Sequence, residues 1–154
     1  MKCMQSKLHI NGYDYDVILK PHENLREVLR RIGFKGVKKS CDVGGCGVCT
    51  VLLDGRPVYS CCTFAAWAEG KQITTVEGLA SPEELDLIQR NFVEKGASQC
   101  GFCTPGLVLV AEALLKRNPQ PSEAEVRREI AGNICRCTGY VKVVDAILAA
   151  SKKR

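Results

Sequence analysis

The sequence predicts an α+β chain, and three observations predict it. Strand-type alternation broken by tight-turn dipeptides runs up to residue 76, and helical spacing with capping signals runs after residue 81. Segregated strands and helices imply two packed units, residues 1–78 and 79–154, joined near Glu77 to Ala80. Apart from Cys3, the ten cysteines gather in two groups, one in each unit.

The elements follow in order. LHI and YDYDVIL, within Lys7 to Leu19, form a hairpin turning at Asn11-Gly12, a strong type I′ signal. Asn24 caps a short helix with Glu27 three residues on, and Gly33 ends it; Leu25, Val28, Leu29 and Ile32 make its apolar stripe. The loop SCDVGGCGVCT (Ser40 to Thr50) precedes a second hairpin, TVLL and PVYS, around Asp54-Gly55. Phe64 to Glu69 reads as a helical turn and Gln72 to Val76 as a strand. Helices are expected at 82–95, 105–117, 123–131 and 139–150. Ser81 and Ser122 supply capping boxes for the first and third, with Pro82 and Glu83 opening the first. Thr104, before Pro105, and Thr138 are expected to cap the second and fourth, placing two helix N-termini beside two cysteine pairs.

Composition excludes several function classes. No long uncharged apolar run occurs, so neither a signal peptide nor a membrane span is expected, and a cytoplasmic setting follows. Thiols stay reduced there, so this many cysteines call for metal rather than bridges. The net charge of +5 invites a nucleic-acid reading. However, the basic run Arg26, Arg30, Arg31, Lys35, Lys38 and Lys39 lacks interleaved aromatics and reads as a solvated helix face. Two oxidised two-iron clusters would also bring the total to roughly +1.

Cys41, Cys46 and Cys49 have the spacing C-x4-C-x2-C of plant-type ferredoxin ligands, with one further cysteine after the hairpin. Either Cys61 or Cys62 can be that fourth ligand; on extended backbone the two side chains cannot both face one cluster, so the other is expected to be a buried small hydrophobe. Cys100, Cys103, Cys135 and Cys137 form a CxxC and a CxC, a set that suits iron–sulfur or zinc. A thioredoxin-like role fails because no βαβ unit surrounds Cys100 and Cys103. His9 and His22 stand alone, and no convergent acid–base pair is present, so substrate chemistry is assigned to another polypeptide. Cys3 receives no role.

With SCDVGGCGVCT, the cysteine after VLLDGRPVYS, QCGFCTPG and GNICRCTGY together, the chain resembles the small iron–sulfur subunit of the molybdenum hydroxylases, the xanthine oxidase family. The resemblance implies a β-grasp plant-type ferredoxin domain followed by a four-helix domain, each holding one [2Fe–2S] cluster. It makes Cys41, Cys46, Cys49 and Cys61 ligands of the first cluster, and Cys100, Cys103, Cys135 and Cys137 ligands of the second. It also implies that Gln99 and Cys137 approach a molybdopterin cofactor on a large subunit. Electrons would pass from molybdenum through both clusters to FAD on a medium subunit, in a dimer of heterotrimers. Arg136 is placed to stabilise cluster charge or to face an interface. AAWAEGKQITTVEG inclines the likeness toward xanthine dehydrogenase subunits over carbon monoxide or aldehyde enzymes, with the same subunit in a carbon monoxide, aldehyde or aromatic hydroxylase as an alternative. A free-standing ferredoxin-like carrier and a zinc-stabilised interaction module are the competing readings.

Overall fold

The computed structural model describes residues 3–81 and 84–153. Among these residues five strands form one mixed sheet in the order β2-β1-β5-β3-β4. β1 (Met4–Ile10) and β2 (Tyr13–Leu19) pair antiparallel, as do β3 (Thr50–Leu53) and β4 (Arg56–Tyr59). β5 (Gln72–Thr74) joins the hairpins, parallel to β1 and antiparallel to β3. Both turns are as the dipeptides dictate, with positive φ at Asn11 and Gly12 and at Asp54 and Gly55. The turn residues also clamp β5 from either side: Asn11 N–H donates to the Ile73 carbonyl and Asp54 N–H to the Gln72 carbonyl, each at 2.9 Å.

α1 (Leu25–Arg31) packs its apolar stripe on one sheet face, burying Leu25, Val28 and Leu29 against Leu8, Ile10, Val17 and Leu19. Its Asn24 cap forms as expected, Oδ1 accepting from Glu27 N–H at 3.0 Å. The solvated-face reading of the basic run fails at Arg26, whose side chain is 5% exposed and donates to Asp42 Oδ1 at 2.6 Å. Arg31 and Glu23 also pair.

The helical half contains α2 (Leu87–Glu94), α3 (Thr104–Arg117), α4 (Glu123–Ile130) and α5 (Val141–Ser151). α3 is the central helix, with Leu107, Val108, Ala111, Leu114 and Leu115 buried against the other three. α2 starts later than expected because Asp86 wins the cap: its Oδ1 accepts from Ile88 N–H at 2.9 Å, and Gln89 closes the box from the other side. Ser81 instead accepts from Glu84 N–H in a local turn; Pro82 and Glu83 lie outside the described residues. The Ser122–Glu125 box forms as expected.

Neither threonine caps its helix. Cys103 occupies the N-cap of α3 with αR backbone and no side-chain cap bond, so Thr104 is already helical. Tyr140, at φ 68°, holds that place in α5. The expected strand to Val76 is cut at Thr74 by a 3-10 turn, Val76–Gly78. PVYS likewise ends as strand at Tyr59, and Ser60–Cys62 is a 3-10 turn. α3 lies on β3, where Leu52, Leu109 and Ala113 form a small core with Val76 and Leu79 packed against it. Among the described residues no helix is long and apolar enough to cross a membrane.

Candidate metal centres

The first cysteine set is built by the loop between α1 and β3 and by the turn after β4. Positive φ at Asp42, Gly44 and Gly47 coils the loop on itself. The N–H of Val43 points at the Cys41 sulfur; with the Cys46 thiol and the N–H groups of Gly45 and Cys46, it lowers the Cys41 thiol to about 6. Successive amides aimed at one atom form an anion nest. Across the site, Ser60 Oγ donates to the Cys49 carbonyl at 2.6 Å. This bond docks the 3-10 turn and brings Cys61 against Cys49. Burial, then contact with the Cys49 and Cys62 thiols, pushes Cys61 up to about 12. The Tyr59 phenol is raised by burial first and then by these thiols.

The second set closes around the start of α3. Cys137 Sγ lies 3.5 Å from Cys100 Sγ, and Cys103 meets Cys135. Burial, then Cys135, pushes Cys103 up to about 12. At Cys135 burial acts upward but is outweighed by the Thr138 hydroxyl and N–H, the Cys103 thiol and the Cys137 N–H, so the thiol is lowered. The Thr138 hydroxyl donates to this sulfur at 3.1 Å and accepts from the N–H of Tyr140, the residue before α5, at 3.2 Å. A cleft of about 250 Å³ between the sets is lined by Cys46 of the first and all four cysteines of the second.

Among the eight candidate ligands the thiols thus meet in pairs, Cys41 with Cys46, Cys49 with Cys61, Cys100 with Cys137, Cys103 with Cys135, and Cys61 also meets Cys62. All ten cysteines are free. Two thiolates sharing one tetrahedral ion through bonds of about 2.3 Å sit about 3.7 Å apart, whereas a disulfide needs about 2.05 Å. The 3.5 Å separation of Cys100 and Cys137 fits the first. Among the described residues, no three His, Cys, Asp or Glu side chains converge on a single ion. Pairs are what a two-iron cluster needs, since each iron takes two protein ligands.

The sets touch through backbone. Ile134 N–H donates to the Cys46 carbonyl at 2.9 Å, and the buried Asn133 Nδ2 donates to the Gly47 carbonyl at 2.8 Å. Gly106 makes this approach possible, because a Cβ there would lie 2.6 Å from Asn133 Nδ2 and 2.8 Å from the Gly47 carbonyl oxygen.

Comparison with known proteins decides the family. Residues 8–80 match the family described as "2Fe-2S iron-sulfur cluster binding domain", and residues 75–148 match "[2Fe-2S] binding domain". The chain is 46% identical over 147 residues to the xanthine dehydrogenase iron-sulfur-binding subunit of Escherichia coli O157:H7, covering 94% of this chain and 92% of that one. It is 42% identical over 154 residues to the nicotinate dehydrogenase small FeS subunit of Eubacterium barkeri, covering 99% and 98%. The crystal structure of quinoline 2-oxidoreductase from Pseudomonas putida 86 superposes with TM-score 0.94 at 43% identity, covering 99% of this chain and 96% of that one. The chain belongs to the iron–sulfur subunits of the molybdenum hydroxylases.

As such a subunit it is the electron-transfer part of an oxidoreductase, and its fold class is the expected α+β one. The aldehyde oxidoreductase of Megalodesulfovibrio gigas carries the same unit fused into a longer chain: 96% of this subunit aligns to 17% of that protein at 41% identity. The iron–sulfur subunit keeps its histidines in other uses, His9 Nδ1 lying 2.7 Å from Asp14 in the first hairpin and His22 exposed. Gln99 and Arg136 are both exposed beside cysteines. Cys62 is exposed, not buried as the extended-backbone argument required. Sequence reasoning passed over Thr138 as a sulfur partner, Asn133 as a bridge and Arg26 as a buried support of the first loop. Of these, only Asn133 carried a signal, its place directly before ICRC.

Proposed function

We propose that this subunit relays electrons between two [2Fe–2S] clusters, one held by Cys41, Cys46, Cys49 and Cys61 and one by Cys100, Cys103, Cys135 and Cys137. The observation that carries the reading is the meeting of these eight thiols as four pairs in two sets, with the sets joined by the Ile134–Cys46 hydrogen bond. Iron–sulfur clusters supply one-electron storage when bound. The chain holds them through thiolates and surrounds the sulfurs with donors, the Val43, Gly45 and Cys46 N–H groups at the first site and the Thr138 hydroxyl at the second. Such donors stabilise added negative charge and so raise the potential. From Cys46, the Cys46 carbonyl and the Ile134 N–H lead through one hydrogen bond to Cys135.

In this reading the units divide at residues 78 and 79. The helical unit faces a molybdopterin-binding large subunit, with Gln99 and Cys137 toward the cofactor, and the sheet unit passes electrons toward an FAD-binding medium subunit, in a dimer of heterotrimers in the cytoplasm. Purine oxidation is the favoured reaction, supported by the 46% identity to the xanthine dehydrogenase subunit; the 42% identity to the nicotinate dehydrogenase subunit makes nicotinate hydroxylation the second reading.

The test is purification of the native complex. Two distinct [2Fe–2S] electron paramagnetic resonance signals on reduction, with molybdopterin and flavin chains co-purifying, are expected. One signal or none, or a colourless protein carrying zinc, overturns the cluster reading; a brown protein that purifies alone supports a free carrier instead. Turnover of xanthine against nicotinate then separates the substrates.

A further inference from the structure

The first site contains five thiols, not four. On a strand, neighbouring side chains point to opposite faces, so Cys61 and Cys62 could not share a partner. The chain is not extended here: Ser60–Cys62 is a 3-10 turn, tied at one end by Ser60 Oγ to the Cys49 carbonyl (2.6 Å) and at the other by Thr63 Oγ1 to the Tyr59 carbonyl (3.1 Å). The turn carries both side chains to one side. Cys62 Sγ lies 3.6 Å from Cys61 Sγ. That separation equals, within 0.1 Å, the 3.5 Å between Cys100 and Cys137, and it matches the spacing of about 3.7 Å for two sulfurs on one tetrahedral ion. Cys62 is also seated against the ligand loop, since a Cβ on Gly44 would lie 2.6 Å from its sulfur.

We propose that Cys62 is a reserve ligand of the first cluster, able to take the iron position of Cys61 when that thiolate is lost, because its sulfur stands one ligand spacing away on the same turn and against the same loop. The proposal rests on the reading of this set as a [2Fe–2S] site. The exchange moves no electrons. When Cys61 is absent, the Cys62 thiol gives its proton to solvent and its sulfur forms the iron bond that Cys61 no longer makes. When Cys61 is present and displaced, its thiolate leaves the iron and takes up a proton, so charge and oxidation state are conserved. The displacement required is about the 3.6 Å between the two sulfurs, within a turn in which Cys62 is exposed and Cys61 half-buried. The site would thereby tolerate chemical damage to Cys61, to which a four-thiol site has no answer.

The experiment compares Cys61→Ala, Cys61→Ser and each combined with Cys62→Ala, in the native complex, with the second cluster's signal as internal control. Iron and acid-labile sulfide are counted and the reduced proteins are examined by electron paramagnetic resonance. In Cys61→Ala the first cluster is retained with shifted g values; in Cys61→Ala/Cys62→Ala it is lost and iron falls by half while the second signal stays. Cys61→Ser gives the same signal as Cys61→Ala, and adding Cys62→Ala changes it. Alkylation with iodoacetamide supplies a readout independent of the spectra: Cys62 is labelled in the wild-type complex and protected in Cys61→Ala. Loss of the first cluster from both single variants overturns the proposal. So does a Cys61→Ser signal indifferent to Cys62→Ala, which means that the serine oxygen holds the iron, or equal labelling of Cys62 in wild type and Cys61→Ala. A wild-type complex without two cluster signals instead removes the cluster reading, and the reserve ligand with it.

Discussion

Asn133→Ala tests the junction between the two cysteine sets most directly. Asn133 is 2% exposed, and its Nδ2 donates to the Gly47 carbonyl at 2.8 Å and to Thr50 Oγ1 at 3.3 Å. Two buried hydrogen bonds contribute about 1 kcal/mol each, and the space left by the amide adds up to about 1 kcal/mol more. The Gly47 carbonyl keeps Thr50 N–H and Oγ1 as donors, so no orphaned acceptor enlarges the loss. A local cost of about 2–3 kcal/mol corresponds to about 30- to 140-fold faster opening at 1.4 kcal/mol per tenfold. The reporter is the neighbouring Ile134 N–H, which donates to Cys46 across the junction. Hydrogen–deuterium exchange by mass spectrometry on the intact complex should show that acceleration in the peptide containing Ile134. Tyr59→Phe removes only the edge bond from Tyr59 Oη to the Gly132 carbonyl and should accelerate exchange no more than about fivefold. Unchanged exchange at Ile134 in Asn133→Ala would refute the view that this amide pins the two sets together.

Three further outcomes are expected. Cys103→Ser should abolish one cluster signal and leave the other, measured in the reduced complex; two intact signals would contradict the second ligand set. Leu109→Ala, which empties the small core between β3 and α3, should cost about 3 kcal/mol and lower the melting midpoint by about 6–12 °C, and a shift below about 2 °C would mean that this core does not hold the units together. Ser122→Ala should cost about 1 kcal/mol and flatten the acid limb of stability. The Ser122 hydroxyl, and then its N–H, hold the Glu125 carboxyl below its ordinary value. A depressed carboxylate stabilises the fold above its unfolded value of about 4.3 and loses that contribution as pH falls through the lower folded value. Melting midpoints by circular dichroism from about pH 5 downward should therefore fall less steeply in the variant, and parallel profiles would refute the assignment.

What the sequence made legible was local. Asn-Gly and Asp-Gly determine hairpin turns over two residues, and Asn24 and Ser122 satisfy helix amides three residues away, so these features form wherever the rest of the chain goes. The caps at Thr104 and Thr138 failed because capping needs an extended backbone at the threonine itself. Here each cysteine pair bends the chain instead, leaving Cys103 αR and Tyr140 left-handed. The Ser81 box lost to Asp86 for a similar reason, two polar residues competing for one helix start. Cysteine spacing separated the two sets, but not the pairing inside them, which depends on how the turn after β4 docks on Cys49. The exposure of Cys62 and the burial of Arg26 follow from that docking and from the position of Asp42, neither of which is a property of a short sequence window.

In the proposed relay, the junction also bears on how the two cysteine sets would stay in register while charge moves between them. The bonds that join the sets at their closest approach link neutral groups: the Ile134 N–H to the Cys46 carbonyl, the Asn133 amide to the Gly47 carbonyl, and the Tyr59 hydroxyl to the Gly132 carbonyl. In that reading each reduction would add a negative charge beside this junction. An ion pair placed there would change strength with every electron, by about 1 kcal/mol at 4 Å in water and several-fold more at protein dielectric. Hydrogen bonds between neutral groups respond far less, and the apolar contact of Leu52, Leu109 and Ala113 not at all. Close packing at Gly106 sets the distance sterically, because nothing larger than hydrogen fits there. The separation of the two cysteine sets is thus fixed by sterics and neutral hydrogen bonds, so that in the proposed relay the path from Cys46 to Cys135 would stay the same length whichever set held the electron.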